Sequence, residues 1–170
     1  MIYIGMDNGS TGTVGIVNTD RTICDFFNTP IIKELSYNTT SKKFVSELDI
    51  EVFSNRVKGL IGDSKEPIFA ILERPFSNGQ AMYRNSVKLA YGFFVLQKQS
   101  MKLMGIGYEV MDSKKWQKKI LPPGTTSSGD LKRASKDIGI RLYPQFKTIM
   151  TRQGDADGML IAEYARIMKL

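Results

Sequence analysis

The sequence predicts an α/β domain with a central mixed β-sheet, an antiparallel meander followed by parallel strands, flanked by helices. Three observations carry that expectation. The apolar run Ile2-Tyr3-Ile4-Gly5-Met6 is followed by Asp7, by the small residues Asn8-Gly9-Ser10-Thr11-Gly12, and by a second strand-like run, Thr13-Val14-Gly15-Ile16-Val17. That is the pattern of two antiparallel strands joined by a tight turn. Pro67-Ile68-Phe69-Ala70-Ile71-Leu72-Glu73 is almost continuously apolar, as a central strand covered on both faces is, often a parallel one. Helical periodicity follows the later strand-like runs, which places helices on both faces of the sheet.

In chain order, residues 2–7 and 13–19 are the first two strands, and Thr22–Asn28, with Ile23, Cys24, Phe26 and Phe27, is the third. Thr29–Ser46 is largely polar, contains Asn38-Thr39-Thr40-Ser41, and reads as a connection with weak structure. Asp49–Ile61 is a helix, with Ile50, Phe53, Val57 and Leu60/Ile61 at helical spacing, Asp49 as its cap and Gly62-Asp63-Ser64 as its end. The strand ending at Glu73 leads through the loop Arg74-Pro75-Phe76-Ser77-Asn78-Gly79 to a long helix, Ala81–Leu103. There Val87, Ala90, Tyr91, Phe94, Val95, Lys98, Met101 and Lys102 share a mostly apolar face.

Tyr108–Met111 is a further strand, and Asp112-Ser113 starts a short basic helix, Lys114–Leu121, docked through Trp116 and Ile120, with Trp116 expected in the core. Pro122–Gly129 is a loop, Asp130–Gly139 a second short basic helix, and Tyr143-Pro144 opens another loop. The last helix begins near Asp155. Its spacing puts Asp157, Leu160/Ile161, Tyr164 and Met168 on one face, so Asp157 belongs to the buried side.

Composition narrows the chemistry. A length of 170 residues fits one domain spanning 1–170. No apolar run reaches about 18 residues, so no membrane span is expected, and the N-terminus lacks a basic-then-apolar signal pattern. The single cysteine, Cys24, forms no internal disulfide and fits a reducing compartment, so a cytoplasmic location is expected. There is no histidine, which excludes His-based triads, zinc fingers and His-metal sites. A metal site must then be built from oxygen ligands, which favours Mg²⁺, with Mn²⁺ able to substitute. The net charge is +7, and ten of the 24 Lys/Arg residues (114, 115, 118, 119, 132, 133, 136, 141, 147 and 152) lie between Ser113 and Arg152, against Asp130 and Asp137 alone. A concentrated basic segment suits nucleic acid.

Asp7 and Glu73 both sit at the carboxyl ends of predicted strands, where α/β sheets gather their active sites. If the two strands are neighbours, both carboxylates come within a metal ion's reach. Asp155 and Asp157 complete the cluster if the last helix packs across the sheet there. Clustered carboxylates without histidine suit two divalent ions about 4 Å apart, which activate a water and stabilise the leaving oxygen in phosphodiester hydrolysis. The basic segment would hold the substrate's phosphates.

Each residue also has a plainer reading. Asp7 is a turn former, Glu73 a strand end paired with Arg74, and Asp155 and Asp157 helix caps. Phe76 is a packed loop anchor, and Lys114–Lys119 a solvated face. Two other functions compete. Asp7–Gly12 also looks like the first phosphate loop of the actin, sugar-kinase and Hsp70 ATPase superfamily, but that fold needs a second phosphate loop and an adenosine motif that this sequence lacks, so no nucleotide cofactor is expected. A non-catalytic module that holds branched nucleic acid is the other alternative, although a simple binder gains nothing from acids clustered beside phosphates.

Taken together, the Asp7 strand with its Gly/Ser/Thr turn, the Ile-Leu-Glu73 strand with Phe76 three residues on, and Asp155-Ala156-Asp157 opening a C-terminal helix resemble the RuvC-type Holliday junction resolvases of the RNase H-like superfamily, across essentially the whole chain. Lys114–Leu121 and Leu131-Lys132-Arg133-Ala134-Ser135 are similar to phage and viral members.

The resemblance implies an RNase H-like fold and a Mg²⁺-dependent crossover junction endodeoxyribonuclease leaving a 3′ hydroxyl and a 5′ phosphate. Asp7, Glu73, Asp155 and Asp157 would be its catalytic metal ligands. The family's two C-terminal acids stand three apart, whereas the residue three before Asp157 is Gly154. Phe76 would stack at the junction's opening, while Arg74, Lys114, Lys115, Lys118, Lys119, Lys132 and Arg133 would bind DNA. The implied partners are branched DNA and a second copy of the chain. The implied location is a cytoplasm, that of the host if the source is a phage or virus.

Overall fold

A computed structural model describes residues 1–35, 44–62, 64–76 and 84–170, with backbone only for residues 84–86. The first strand, β1 (Ile2–Met6), is buried throughout. Its alternation sends Ile2, Ile4 and Met6 to one face of the sheet and Tyr3 to the other. β2 (Thr13–Asn18) pairs antiparallel with β1, and β3 (Cys24–Asn28) antiparallel with β2.

The connection expected to be weakly structured instead contains β4 (Ile31–Leu35) and β5 (Phe44–Leu48), an antiparallel pair that forms its own two-stranded sheet. The tip, including Asn38–Ser41, lies outside the described residues. These strands give no alternation signal because most of their side chains are exposed, Leu35 and Phe44 among them.

α1 (Ile50–Ile61) starts where Asp49 accepts a hydrogen bond from the Val52 N–H at 2.9 Å and buries Phe53 and Val57. β6 (Ile68–Glu73) pairs parallel with β1. α2 (Arg84–Leu103) carries the chain to β7 (Gly107–Met111), parallel to β6; the expected helix start, Ala81, lies outside the described residues. The buried face of α2 differs from the expected one: Phe93, Phe94, Gln97, Ser100 and Met101 are inside, while Tyr91 and Val95 are exposed. Two polar residues were hidden from a hydrophobicity pattern because each has a hydrogen bond, Gln97 to the Asp7 carbonyl and Ser100 to the Leu96 carbonyl.

α3 (Ser113–Ile120) and α4 (Ser128–Leu142) are the two basic helices. α4 is longer than expected, beginning where Ser127 Oγ accepts from the Asp130 N–H at 3.1 Å. The loop expected after Tyr143 is in fact a 3₁₀ turn (Pro144–Phe146) and α5 (Lys147–Gln153). Proline opens this segment rather than breaking it, because the first helical position needs no N–H donor. α6 (Asp157–Met168) begins two residues after Asp155, with Ala156 at its cap position. Among the described residues no helix is long and apolar enough to cross a membrane.

The main sheet has the order β3-β2-β1-β6-β7. One face is covered by α1 and α2, the other by α3, α4, α5 and α6. This is the predicted α/β architecture, a mixed sheet of antiparallel meander and parallel strands between helical layers. α6 lies against β1 and β2 at backbone contact. A β-carbon on Gly5 would stand 2.2 Å from the Gly158 carbonyl oxygen, and one on Gly158 only 2.4 Å from that of Thr13. The Gly158 N–H also donates to Thr13 Oγ1 at 3.0 Å. This seam fixes where the first turn of α6 meets the ends of the strands.

Candidate metal centre and nucleic-acid interface

The parallel register sets Met6 beside Leu72. The next residue along each strand is an acid, so Asp7 and Glu73 leave the sheet side by side, on the α6 face by alternation. Their backbones are tied together: Asn8 Nδ2 donates to the Glu73 carbonyl at 3.3 Å, the Asp7 N–H donates to the Thr13 carbonyl at 3.0 Å, and Gln97 Nε2 donates to the Asp7 carbonyl at 3.2 Å. Asp157 opens α6 directly above, and Asp155 sits between the end of α5 at Gly154 and the Ala156 cap position. One carboxylate oxygen each from Asp7, Asp155 and Asp157 lie within 4.8 Å of one another.

Glu73 stands beside this trio rather than within it. Its carboxylate is not paired with Arg74, which instead faces Asp112 at 3.3 Å. Glu73 Oε2 accepts a 2.7 Å hydrogen bond from Trp116 Nε1. Trp116 is in the core, as expected, but its polar edge is at the site. Ser135 holds the other side of the cluster: its hydroxyl donates to Asp157 Oδ1 and accepts from the Ala156 N–H.

Electrostatics follow from crowding four acids into a mostly covered cleft. Burial, with the charges of Glu73, Asp157 and Asp155, pushes Asp7 well above the usual carboxylate range. Burial raises Glu73 to about 7 against the opposing Trp116 hydrogen bond, with Asp157 and Asp155 adding to the rise. Asp157 is raised to about 6 by burial and by Asp155, against Ser135 and Lys132. Burial also raises Asp155, opposed by the Asp157 backbone N–H and by Lys132. Among the described residues the single cation within 4.0 Å of these carboxylates is Lys132, whose Nζ is 4.0 Å from Asp155 Oδ2. Asp155 is 5% exposed, and its Oδ1 has no hydrogen-bond partner. A buried acceptor without a donor, in a set of oxygen donors carrying surplus negative charge, is the environment that a hard divalent cation satisfies.

The remaining predicted binding residues lie on α3, on α4 and in the loop after β6. Lys114, Lys115, Lys118 and Lys119 are exposed on α3, and Lys132 and Arg133 on α4. Lys114 and Lys118 line an open cleft of about 690 Å³ with Pro122, Thr125 and Leu131, between the two helices. Lys115 pairs with Glu109 at 3.2 Å and Arg133 with Asp130 at 3.6 Å. Phe76, three residues past Glu73, is 75% exposed and so is not a packed anchor.

Sequence reasoning missed Ser135, Asn8 and Gln97 as supports, the polar role of Trp116, and the closeness of Lys132 to Asp155. One signal was available: Lys132 and Ser135 are three apart and share a helix face. The contact between Trp116 and Glu73, 43 residues apart in sequence, had none.

No family model matches the sequence, and no curated protein matches it. Among solved structures, the chain is similar to RuvC of T. thermophilus in complex with a Holliday junction substrate, at 14% identity over 99% of this chain and 96% of that one, with a TM-score of 0.49. It is also similar to a second Thermus thermophilus RuvC structure, at 13% identity over 99% and 97% of the two chains, with a TM-score of 0.45.

Proposed function

We propose that this chain is a divalent-metal-dependent, structure-selective endodeoxyribonuclease of RuvC type that cuts four-way or otherwise branched DNA by hydrolysing phosphodiesters. The observation that carries the reading is the trio of half-buried Asp7 and Asp157 with buried Asp155, one oxygen of each within 4.8 Å of the others, flanked by Glu73 and by two basic helices. The order of these acids along the sequence, which resembles that of the resolvases apart from the shorter Asp155–Asp157 interval, supports the substrate class.

Asp7, Glu73, Asp155 and Asp157 would hold two Mg²⁺ ions. When bound, such ions activate a water and stabilise the leaving oxygen of an in-line displacement. The chain's own residues do the rest. Ser135 keeps Asp157 turned toward the cluster. Lys132 offsets part of the acids' charge and faces the approaching phosphate. The lysines of α3, with Arg74 and Arg133, hold the flanking backbone through charge, and Phe76 offers an exposed ring on which a base at the branch point stacks.

Paired cutting calls for a homodimer. Supporting it is an apolar groove of about 690 Å³ between β5 and α2, lined by Val45, Leu89, Tyr91 and Val95, all of them large exposed hydrophobics. Sedimentation that finds a monomer with and without a junction would remove this element. Residues 1–170 act as one nuclease domain in this reading, in a cytoplasm.

The decisive experiment is cleavage of a labelled four-way junction with Mg²⁺ by wild type and Asp7→Asn. The expected result is symmetric nicking by wild type and binding without cutting by the variant. Binding without cutting by both proteins would leave a non-catalytic module in place of an enzyme, and absence of binding would end the reading.

A further inference from the structure

Trp116 is the sole tryptophan of the chain. Its side chain is 0% exposed, which is uncommon for so large a residue, and its one polar atom donates to Glu73 Oε2 at 2.7 Å. A core tryptophan needs an acceptor for its N–H, and any carbonyl would serve. Here the acceptor is the carboxylate at the tip of β6, the one acid of the four that lies outside the tight trio. Trp116 faces inward from the middle of the eight-residue α3, while Lys114, Lys115, Lys118 and Lys119 face solvent on the same helix. Ser135 plays the matching part for Asp157 from α4.

Resting on the reading above, we propose that Trp116 is a positioning residue: its indole N–H fixes the rotation of the Glu73 carboxylate so that Glu73 presents to a divalent ion held by the trio. The N–H holds Oε2, which restricts how the Glu73 carboxylate turns when it meets a cation. Partners of this kind around metal ligands govern affinity as well as geometry.

The test is Mn²⁺ binding by calorimetry to three proteins: wild type, Trp116→Phe, and a form with 3-benzothienylalanine at position 116, which keeps the bicyclic shape and replaces N–H by sulfur. The expected result is a loss of about tenfold or more in Mn²⁺ affinity in both altered proteins, with junction affinity in EDTA unchanged because the lysines of α3 lie on its other side. The lone indole N–H resonance of wild type should shift saturably on Mg²⁺ titration and should cease to do so in Glu73→Gln. If benzothienylalanine binds Mn²⁺ as wild type does, the indole only fills space and the proposal is overturned. If wild type itself binds no Mn²⁺, the metal-centre reading has failed and takes the proposal with it, an outcome distinct from the first.

Discussion

Gly5 and Gly158 face each other so closely that a β-carbon on Gly5 would stand 2.2 Å from the Gly158 carbonyl oxygen. The obstructing atom is backbone, so no side-chain rotation relieves the clash, and α6 would have to lift from β1. Gly5→Ala should therefore cost ~3 kcal/mol or more, the upper end of overpacking effects. In a chain of this size that is a fall of roughly 10 °C in Tm. Because the same displacement carries Asp157 away from Asp7, cleavage should be lost even at temperatures where the variant is folded. A Tm equal to that of wild type would show that the seam yields more easily than its geometry implies.

Stability of the metal-free protein should fall as pH rises. Glu73 at about 7 and Asp157 at about 6 stand above ordinary carboxylate values, so through this window the folded state holds more protons than the unfolded state. With the unfolded chain binding fewer protons, the slope of unfolding free energy against pH is negative. The stability is present at low pH and is lost as pH rises through the folded values. Glu163 has the opposite sign, but burial is there outweighed by its hydrogen bonds from Arg166, Tyr143 and Arg21, so it titrates below this window. Thermal unfolding in EDTA from about pH 5 to 8 should show a declining Tm. Added Mg²⁺ should raise Tm more at the upper end than at the lower. A Tm in EDTA that climbs across this range would contradict the burial of these acids.

Phe76 is 75% exposed, so Phe76→Ala should leave Tm unchanged within about 0.5 kcal/mol. Loss of a stacking ring should slow junction cutting by roughly tenfold or more, given about 1–3 kcal/mol for a base on an aromatic side chain. Equal cutting rates for the two proteins would dispose of the stacking role.

The lysines of α3 are separable by salt dependence. Among the described residues Lys118 and Lys119 have no acidic partner within 4.0 Å, whereas Lys115 is held 3.2 Å from Glu109. Replacing Lys118 and Lys119 together by alanine should lower the salt slope of junction binding by about two. Lys115→Ala should lower it by less, since that ion pair must be given up when DNA binds. An unchanged slope in the double variant would place α3 away from the nucleic acid.

Glu163, 1% exposed, accepts from Tyr143 Oη at 2.6 Å, from Arg166 Nε and Nη2 at 2.8 Å each, and from Arg21. Glu163→Ala should cost about 3 kcal/mol, the lower end for a broken buried pair because the arginines keep some solvent contact. Tm should fall while the acids at the other end of α6 keep their Mn²⁺ affinity. Equal losses of both would tie this network to the metal centre.

What could be read from sequence was whatever depends on local pattern. The apolar runs ending in Asp7 and Glu73 placed two acids at strand tips, and helical spacing put Asp157 on the inner side of α6. Patterns failed where side chains face solvent on both sides, as in β4 and β5. They failed also where a buried polar residue is satisfied by a partner far away in sequence, as with Gln97 on α2. Gly5 and Gly158 carry no pattern at all, since their meaning lies in which backbone passes over them. Trp116 read correctly as core, but that a core residue also touches the Glu73 carboxylate is a three-dimensional fact.

The acids of the cluster come from three distant places: residue 7, residue 73, and the pair at 155 and 157. Asp7 and Glu73 can meet on a sheet assembled from the first half of the chain. The other half of the charge arrives only when α6, through Gly158, seats on Gly5 and Thr13. At ordinary rates of synthesis, the stretch between Glu73 and Asp157 takes roughly ten seconds to emerge. Throughout that interval a nascent chain carries an incomplete ligand set. On the proposed reading, a centre arranged in this way can cut DNA only after the C-terminal helix is in place, so that completion of the fold is itself the safety catch.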